Sequence, residues 1–499
     1  MTERSRRTAD DPTTPWERSV YWGLILLLLW APLPFGSIRP WAVSIIVVWV
    51  ALLGGLWAIG WAAGHCQVRT AFHQGRWPLL LLTLWAGLLA LQVTPLPAAA
   101  VAWLSPGAAA SHAAGQAYSG LVPSASPGWL TLSIDAGATR RKLLLTLALT
   151  GYFALLLLVI PRTARLRHFC AMVVLSGIVC SALAVYLLFT GAEYMLFHER
   201  VLHEHAQGPF LNRNHLATYI GISLACGIGL IAADFAPVRF TNRKQIVRWV
   251  LQLLLSNKAR IRLLLIVMVI ALILTRSRMG NAAFLTALVA GGLIALVFLH
   301  VGRKTLLVLL GSMIILDVAI IGSWIGVDQV LKRMQETAVT AEVRQRENLR
   351  EESFEERTDQ GLSALAGMRQ YAWFGTGAGS FEAMYPQYKP PGYPTTLHQA
   401  HNDYIQFFVE SGVFGVVLVG LLALLAYRAV LRTIRFSRDP VRRGLSLGVL
   451  VGMLMVMMQV TLEFSLQIPA VVLLFTALLA IGFLAQDWLR GPPEEPATV

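Results

Sequence analysis

Residues 41–63 read WAVSIIVVWVALLGGLWAIGWAA, a stretch of 23 positions without a charged side chain. A run of this length and polarity is long enough to cross the hydrocarbon core of a bilayer as a helix. Hydrophobic residues make up 56% of the 499-residue chain and charged residues 14%, against roughly 25% charged residues in soluble domains. The composition therefore excludes a set of soluble globular domains and indicates a membrane protein.

Eleven further apolar blocks predict an all-α polytopic membrane protein with about 12 transmembrane helices. The apolar residues come in continuous blocks rather than at the spacing of an amphipathic surface helix. Mean hydropathy is +0.61. The predicted spans are 20–35, 41–63, 77–96, 143–160, 169–189, 216–233, 261–275, 282–299, 305–325, 413–430, 445–462 and 469–485.

The distribution of basic residues predicts the orientation of these spans. The chain has 41 Lys and Arg against 27 Asp and Glu, a net charge of +14. In a soluble protein this balance would suggest nucleic acid, but in a membrane protein basic residues gather in cytoplasmic loops. With the N-terminus inside, 25 of the 41 basic residues lie in cytoplasmic segments and eight in short outer loops. We therefore predict a multi-pass bacterial inner-membrane protein with both termini in the cytoplasm and no nucleic-acid partner.

This topology divides the chain into five segments. A cytoplasmic arm (1–19) is followed by helices 1–9 (20–325), which include a periplasmic loop at 97–140. A large, partly helical periplasmic loop (326–412) comes next, then helices 10–12 (413–485) and a cytoplasmic tail (486–499). An outer loop as long as the third segment usually has a function or forms a lid.

Some arginines are exceptions to the charge bias because they fall at the predicted outer face. Such residues either extend to lipid phosphates or bind a lipid-linked anion, and the second interpretation is favoured because charge at membrane depth is commonly functional. The planar guanidinium group suits phosphate. The four exceptions are Arg200, Arg213, Arg276 and Arg278.

Other motifs argue against metal and nucleotide chemistry. Three histidines and two glutamates lie between His198 and His205, but their spacing matches no recognised metal-ligand motif. Motifs for ATP binding, zinc proteolysis and a hydrolase nucleophile are missing from the sequence. The Gly375-x-Gly377-x-Gly379 stretch follows no βαβ strand and predicts a turn rather than a cofactor loop.

The stretch from His401 to Glu410 combines a histidine with a polar helix face. Asn402 or Asp403 is a candidate N-cap, and Asp403, Gln406 and Glu410 share one face at spacings of three and four. A histidine just before a helix N-terminus stays neutral and available as a base. A surface histidine beside a capping acid is the alternative interpretation.

In order along the chain, these motifs resemble those of the O-antigen ligase and polymerase superfamily. Two weaker matches lie earlier, at Gly208-x-Phe210-x-Asn212-x-Asn214-His215 and at Ser277-Arg278 with Gly280. Gly361 stands four residues after Arg357, where the family often has tryptophan. The main matching residues are Arg357, Ala364-Leu365, Phe374 to Phe381, His401-Asn402-Asp403-Tyr404 and Glu410-Ser-Gly412-Val-Phe-Gly415.

The resemblance implies a GT-C-like membrane glycosyltransferase that needs no metal or other cofactor. Its donor would be a glycan on undecaprenyl pyrophosphate, and its acceptor a sugar hydroxyl of lipid A-core, with inversion at the anomeric carbon. His401 would be the base, and His398, Asn402, Asp403 and Glu410 would support it. The pyrophosphate would be bound by Arg200, Arg213, Arg276, Arg278 and Arg357.

Two alternatives remain open at this point. An O-antigen polymerase or a protein O-oligosaccharyltransferase shares the donor and much of the motif. A transporter of lipid-linked glycans, which forms no bond, is a different class that also accounts for many spans and intramembrane arginines.

Overall fold

The computed structural model describes residues 14–118, 128–191, 194–195, 198–199, 205–233, 258–298, 311, 359, 361–389 and 397–486. These residues form 15 α-helices, short 3-10 turns and two antiparallel strand pairs, β1 (Leu96–Pro97) with β2 (Trp129–Leu130) and β3 (Tyr194–Met195) with β4 (His198–Glu199). The helices are α1 (Pro15–Trp30), α2 (Pro40–Ala62), α3 (Thr70–Gln74), α4 (Arg76–Val93), α5 (Ala98–Leu104), α6 (Pro106–Tyr118), α7 (Ala136–Val159), α8 (Thr163–Thr190), α9 (Arg213–Ala233), α10 (Lys258–Leu274), α11 (Arg278–Phe298), α12 (Phe381–Met384), α13 (Asp403–Phe436), α14 (Pro440–Gln459) and α15 (Pro469–Leu484).

Eight of the described helices are long and apolar enough to cross a membrane, namely α2, α4, α7, α8, α9, α11, α13 and α14. Three more predicted spans coincide with shorter helices, since α1 and α15 have 16 residues and α10 has 17. The predicted span 305–325 lies, except for Gly311, outside the described residues. The polytopic all-α fold is confirmed, while the number of 12 spans and the segment boundaries stay predictions.

Local capping chemistry sets several helix boundaries. α1 and α14 carry proline at their first helical position, where the missing N–H group costs nothing, and follow Thr14 and Asp439 as N-caps. At the start of α7 the Asp135 carboxylate accepts a hydrogen bond of 2.9 Å from the backbone N–H of Ala138. Gly191, with φ of 59°, ends α8 in the left-handed conformation that glycine favours.

Helix α9 lies at the centre of the bundle and is buried along almost its whole length. It packs against α14 so closely that two positions on α14 admit only glycine. A Cβ on Gly448 would stand 2.4 Å from the carbonyl oxygen of Ala225, and one on Gly444 would stand 2.3 Å from the nitrogen of Ala233. Small residues allow this kind of backbone approach between membrane helices.

A second, smaller hydrophobic core lies outside the bundle core and joins the two stretches predicted as outer loops. The Tyr371 hydroxyl lies 2.7 Å from Ser111 Oγ and donates a 3.0 Å hydrogen bond to the carbonyl oxygen of Gly107. Burial raises the pKa of Tyr371, so this hydroxyl stays protonated. The buried members are Val101, Ala108, Leu132, Ala364, Met368, Tyr371, Phe381, Met384, Tyr385, Leu397, Ala400 and Val409.

Candidate functional site

The glycine-rich stretch forms a tight turn packed against a break in α13. Gly375, Gly377 and Gly379 all have positive φ, of 72°, 108° and 78°. The break in α13 is at Gly412, with φ of 62° and ψ of −165°. A Cβ on Gly375 would lie 2.4 Å from the carbonyl carbon of Glu410. The predicted turn is therefore confirmed, and its glycines are required by close backbone packing.

Gln92, at the end of α4, ties this turn to the bundle. Its side chain is fully buried, and its Nε2 donates hydrogen bonds to the carbonyl oxygens of Phe374 (2.6 Å) and Glu410 (2.8 Å). Its Oε1 accepts one from the backbone N–H of Ala378 at 3.1 Å. One side chain thus holds α4, the glycine turn and the first part of α13 together.

His401 lies directly before α13 in an unusual backbone conformation. Asn402 is the N-cap, and its Oδ1 accepts a hydrogen bond of 3.1 Å from the backbone N–H of Ile405, which confirms the predicted cap. His401 itself has φ of 49°, in the left-handed region, and Arg276 has φ of 52°. That conformation costs a non-glycine residue roughly 1–2 kcal/mol, and such strain clusters at functional sites.

Two histidines, one directly before α13 and one in α9, meet at the ring of Phe464. The imidazole of His401 approaches this ring edge-on, with centroids 5.0 Å apart, and the imidazole of His215 does the same at 4.7 Å. His215 is buried in the first turn of α9, and its Nε2 has no hydrogen-bond partner among the described residues. The two imidazoles are close enough to interact electrostatically.

The turn that carries Phe464 is fixed to the first turns of α9. The buried Glu463 carboxylate accepts a hydrogen bond from the side-chain amide of Asn214. One turn further along α9, the hydroxyls of Thr218 and Ser465 lie 2.9 Å apart. These contacts hold the aromatic ring against both histidines.

Asp403 connects the same turn to α13 and α7. Its carboxylate accepts hydrogen bonds from the backbone N–H of Leu466 (2.8 Å) and from Nε2 of Gln467 (2.9 Å). The Oε1 of Gln467 accepts in turn from the Lys142 amine at 2.7 Å. The Asp403 carboxylate is buried, and both of its oxygens accept hydrogen bonds. Its role in this structure is therefore to hold the Phe464 turn in position.

Glu410 is buried on the same face of α13, as the three- and four-residue spacing predicted. Its carboxylate accepts hydrogen bonds from Gln406 Nε2 at 2.9 Å and from the backbone N–H groups of Gly379 and Phe381. Glu410 therefore joins α13 to the glycine turn.

Three of the predicted arginines lie near the start of α9. Arg213 is its first residue, Arg276 is exposed in the turn between α10 and α11, and Arg278 is the exposed first residue of α11. Ser277 directly precedes α11, and its Oγ accepts a hydrogen bond of 3.1 Å from the backbone N–H of Gly280. Gly280 packs so closely on α9 that a Cβ there would lie 2.7 Å from that of Ala217. The arginines and His401 thus lie at the same end of the bundle.

Residues 263–420, from α10 to the middle of α13, match the sequence model of a protein family. The family is that of the O-antigen ligases. The resemblance seen in the sequence is confirmed over this region, and the match supports a membrane enzyme of the ligase or polymerase type in general. No curated protein sequence matches the chain significantly.

The O-antigen ligase match contains His401 and three of the five predicted arginines, and the other two, Arg200 and Arg213, precede it. Arg200 and Arg357 lie outside the described residues. His398 is exposed, and its Nδ1 lies 2.8 Å from a carboxylate oxygen of Glu382 on the surface. Within the described part of the chain, no three His, Cys, Asp or Glu side chains are grouped as metal ligands.

Several residues of this site were not predicted from the sequence. Glu463, Phe464 and Gln467 fall in the short stretch between the predicted spans 445–462 and 469–485 and were given no role, and Lys142 was counted only as an outer-loop charge. One available signal was that Glu463 is the single acidic residue between positions 440 and 486. Burial of a lone carboxylate between two apolar blocks costs free energy unless it accepts hydrogen bonds, so its presence indicates a hydrogen-bonding partner.

Proposed function

We propose that the protein is an O-antigen ligase. It transfers a glycan from undecaprenyl pyrophosphate to a sugar hydroxyl of lipid A-core, in the biosynthesis of lipopolysaccharide. The acceptor oxygen forms a bond to the anomeric carbon while the bond to the pyrophosphate breaks, and the leaving group keeps the electron pair. A single displacement of this kind inverts the anomeric centre. The family match over residues 263–420 supports this class of reaction.

The observation that carries the proposal is the position of His401. Its imidazole stands outside the first turn of α13, held against Phe464, at the bundle end where three predicted arginines also lie. As the general base, His401 takes the proton of the acceptor hydroxyl as that oxygen attacks; a positioned base of this kind contributes roughly 10²–10⁴-fold in rate. Asn402 and Asp403 then act by holding the base in place.

The arginines supply the charge that a lipid pyrophosphate needs. Arg213, Arg276 and Arg278, together with Arg200 and Arg357, stabilise the negative charge that builds up on the leaving group. No metal is required in this scheme, because guanidinium groups bind phosphate oxygens directly.

An apolar cavity near the site is consistent with substrates that carry lipid chains. This cavity, of about 180 Å³, lies between α4, α7, α13 and α15, and its polar lining includes Lys142, Glu410 and Gln467. It provides apolar surface beside the Asp403 network, as a lipid-linked donor or acceptor requires.

Reconstitution tests the reaction directly. The purified chain with undecaprenyl-pyrophosphate-linked glycan and lipid A-core is expected to form lipopolysaccharide, with and without a chelator. A transporter would bind the donor without forming this product. If donor binds and no glycan is transferred under any condition, the enzyme proposal is wrong.

Deletion of the gene separates the related enzymes. Loss of a ligase leaves bare core on a lipopolysaccharide gel, whereas loss of a polymerase leaves core with one repeat unit. Loss of a protein O-oligosaccharyltransferase leaves the ladder intact. We expect bare core, and an intact ladder would contradict the proposal.

A further inference from the structure

A second concave site lies at the end of the bundle opposite to His401. A cavity of about 720 Å³ is lined by residues of α3 and α4, the last turns of α13, and Gln486 after α15. Sites for small molecules and cofactors commonly measure roughly 300–1,000 Å³. At 1.5 Å per residue, the part of α13 that lines this cavity is roughly 30 Å along the helix from the break at Gly412, which itself lies beyond Asp403. The cavity is therefore separate from the candidate catalytic site.

The cavity is lined by basic side chains without acidic ones. Arg76 and Arg432 contribute guanidinium groups and His73 an imidazole, and no lining residue is Asp or Glu. Neither arginine has a carboxylate within ion-pair distance among the described residues.

Two other arginines at this end of the bundle are paired with acids. Arg69 lies 2.7 Å from the Glu17 carboxylate, and Arg442 lies 3.4 Å from that of Asp439. Unlike these two arginines, Arg76 and Arg432 have no such partner among the described residues, so their charge is available to an anion.

Exposed apolar faces lie on both helices that flank the cavity, and on α13 the exposed Arg428 stands between that face and Arg432. On each helix the residues recur at spacings of three and four, so they form one continuous face. The guanidinium group of Arg76 also lies over the ring of Trp77, 5.5 Å from its centroid. These exposed residues are Trp77, Leu80 and Leu84 on α4, and Val417, Leu421 and Leu424 on α13. A free anion would contact only the basic cavity. An amphiphile would contact both the basic cavity and the exposed apolar faces.

We propose that this cavity binds the phosphate headgroup of an anionic phospholipid, with the acyl chains along the exposed faces of α4 and α13. Basic pockets between transmembrane helices on the cytoplasmic side bind headgroups of this kind. The bound lipid would join the α3–α4 region to the end of α13. This site is independent of the glycan donor, because the described donor arginines, Arg213, Arg276 and Arg278, lie at the other end.

Native mass spectrometry of the delipidated full-length chain tests the proposal. We compare phosphatidylglycerol with phosphatidylcholine of the same acyl chains, and expect selective retention of phosphatidylglycerol. The double variant Arg76→Gln/Arg432→Gln should bind phosphatidylglycerol roughly thirty-fold more weakly, given the contribution of each basic residue near an anionic lipid. The matched control Arg18→Gln/Arg438→Gln removes the same charge from exposed positions that do not line the cavity, and should bind as the original chain does.

Three outcomes would overturn the proposal. The first is equal retention of the two lipids, and the second is unchanged phosphatidylglycerol binding in the Arg76→Gln/Arg432→Gln variant. The third is complete displacement of phosphatidylglycerol by excess inorganic phosphate, which would assign the cavity to a free anion. Monodisperse elution of both double variants shows that the comparison concerns folded protein.

Discussion

The imidazole of His401 meets the ring of Phe464 edge-on, with the ring planes at 84°. Phe464 belongs to a turn fixed by the Glu463–Asn214 and Leu466–Asp403 hydrogen bonds. The position of the proposed base therefore depends on contacts with residues 60 or more places later in the chain, and these residues are in turn held by α9.

Replacement of His401 by asparagine tests the base. Asparagine tolerates the left-handed backbone conformation, so His401→Asn removes the imidazole without adding strain. We expect glycan transfer to fall by roughly 10²–10⁴-fold while donor binding survives. Transfer assays and donor-binding titrations on one preparation give both numbers. Near-normal transfer in His401→Asn would require another base.

Replacement of Phe464 by leucine tests whether ring packing positions His401. An error of about 1 Å in the position of a catalytic group can cost roughly 10²-fold in rate. Phe464→Leu should therefore lower kcat by up to that factor and leave KM nearly unchanged. The control is Phe436→Leu, an exposed position at the other end of α13. A change confined to KM would indicate that Phe464 contacts substrate instead.

The direction of the Gln467 amide is fixed by its two partners. Lys142 donates to its oxygen, and its nitrogen donates to Asp403. Gln467→Glu replaces the donor to Asp403 with an acceptor oxygen, and a buried polar group left without its hydrogen bond costs roughly 1–3 kcal/mol. A lower midpoint of thermal unfolding in detergent is expected. The exposed change Gln387→Glu should leave the midpoint where it was; equal midpoints for both variants would contradict this role.

The break in α13 gives a prediction with a control on the same helix. In Gly412→Ala the new Cβ would lie 2.5 Å from the carbonyl of Trp373, at a backbone conformation that costs roughly 1–3 kcal/mol or more for other residues. We expect loss of stability and of transfer. Gly420→Ala has no neighbour within 4 Å and should be neutral or stabilising by up to about 1 kcal/mol. The same unfolding assay compares them, and a harmless Gly412→Ala would show that the break is not needed.

The Arg278 guanidinium is predicted to bind the donor pyrophosphate. Arg278→Gln should weaken donor binding by roughly ten- to a hundred-fold, the range for loss of a charge-assisted hydrogen bond. The control is Arg141→Gln, exposed near the start of α7. Titration with undecaprenyl pyrophosphate measures both affinities. Equal losses of affinity in the two variants would show that the effect comes from the change in net charge and not from a contact of Arg278 with the donor.

Local patterns in the sequence were enough for most of the fold and part of the site. Apolar blocks located the spans because span formation depends on a continuous run of side chains, and the cap at Asn402 was visible because capping acts within four residues. The Lys142–Gln467 contact joins residues 325 places apart, so no local pattern contains it. The second hydrophobic core likewise joins two loops that are far apart in the chain, so no local pattern contains it either.

Those sequence separations also set the order in which the site can form. The hydrogen bond of Gln92 to Glu410 joins residues 318 places apart, and that of Asn214 to Glu463 joins residues 249 places apart. Contacts with large sequence separation form late because the chain between them must first be arranged. During synthesis the early helices are inserted while Gln92 and Asn214 still lack these partners. The site is therefore completed only when nearly the whole chain has been made, and a chain that stops before residue 467 has no such site.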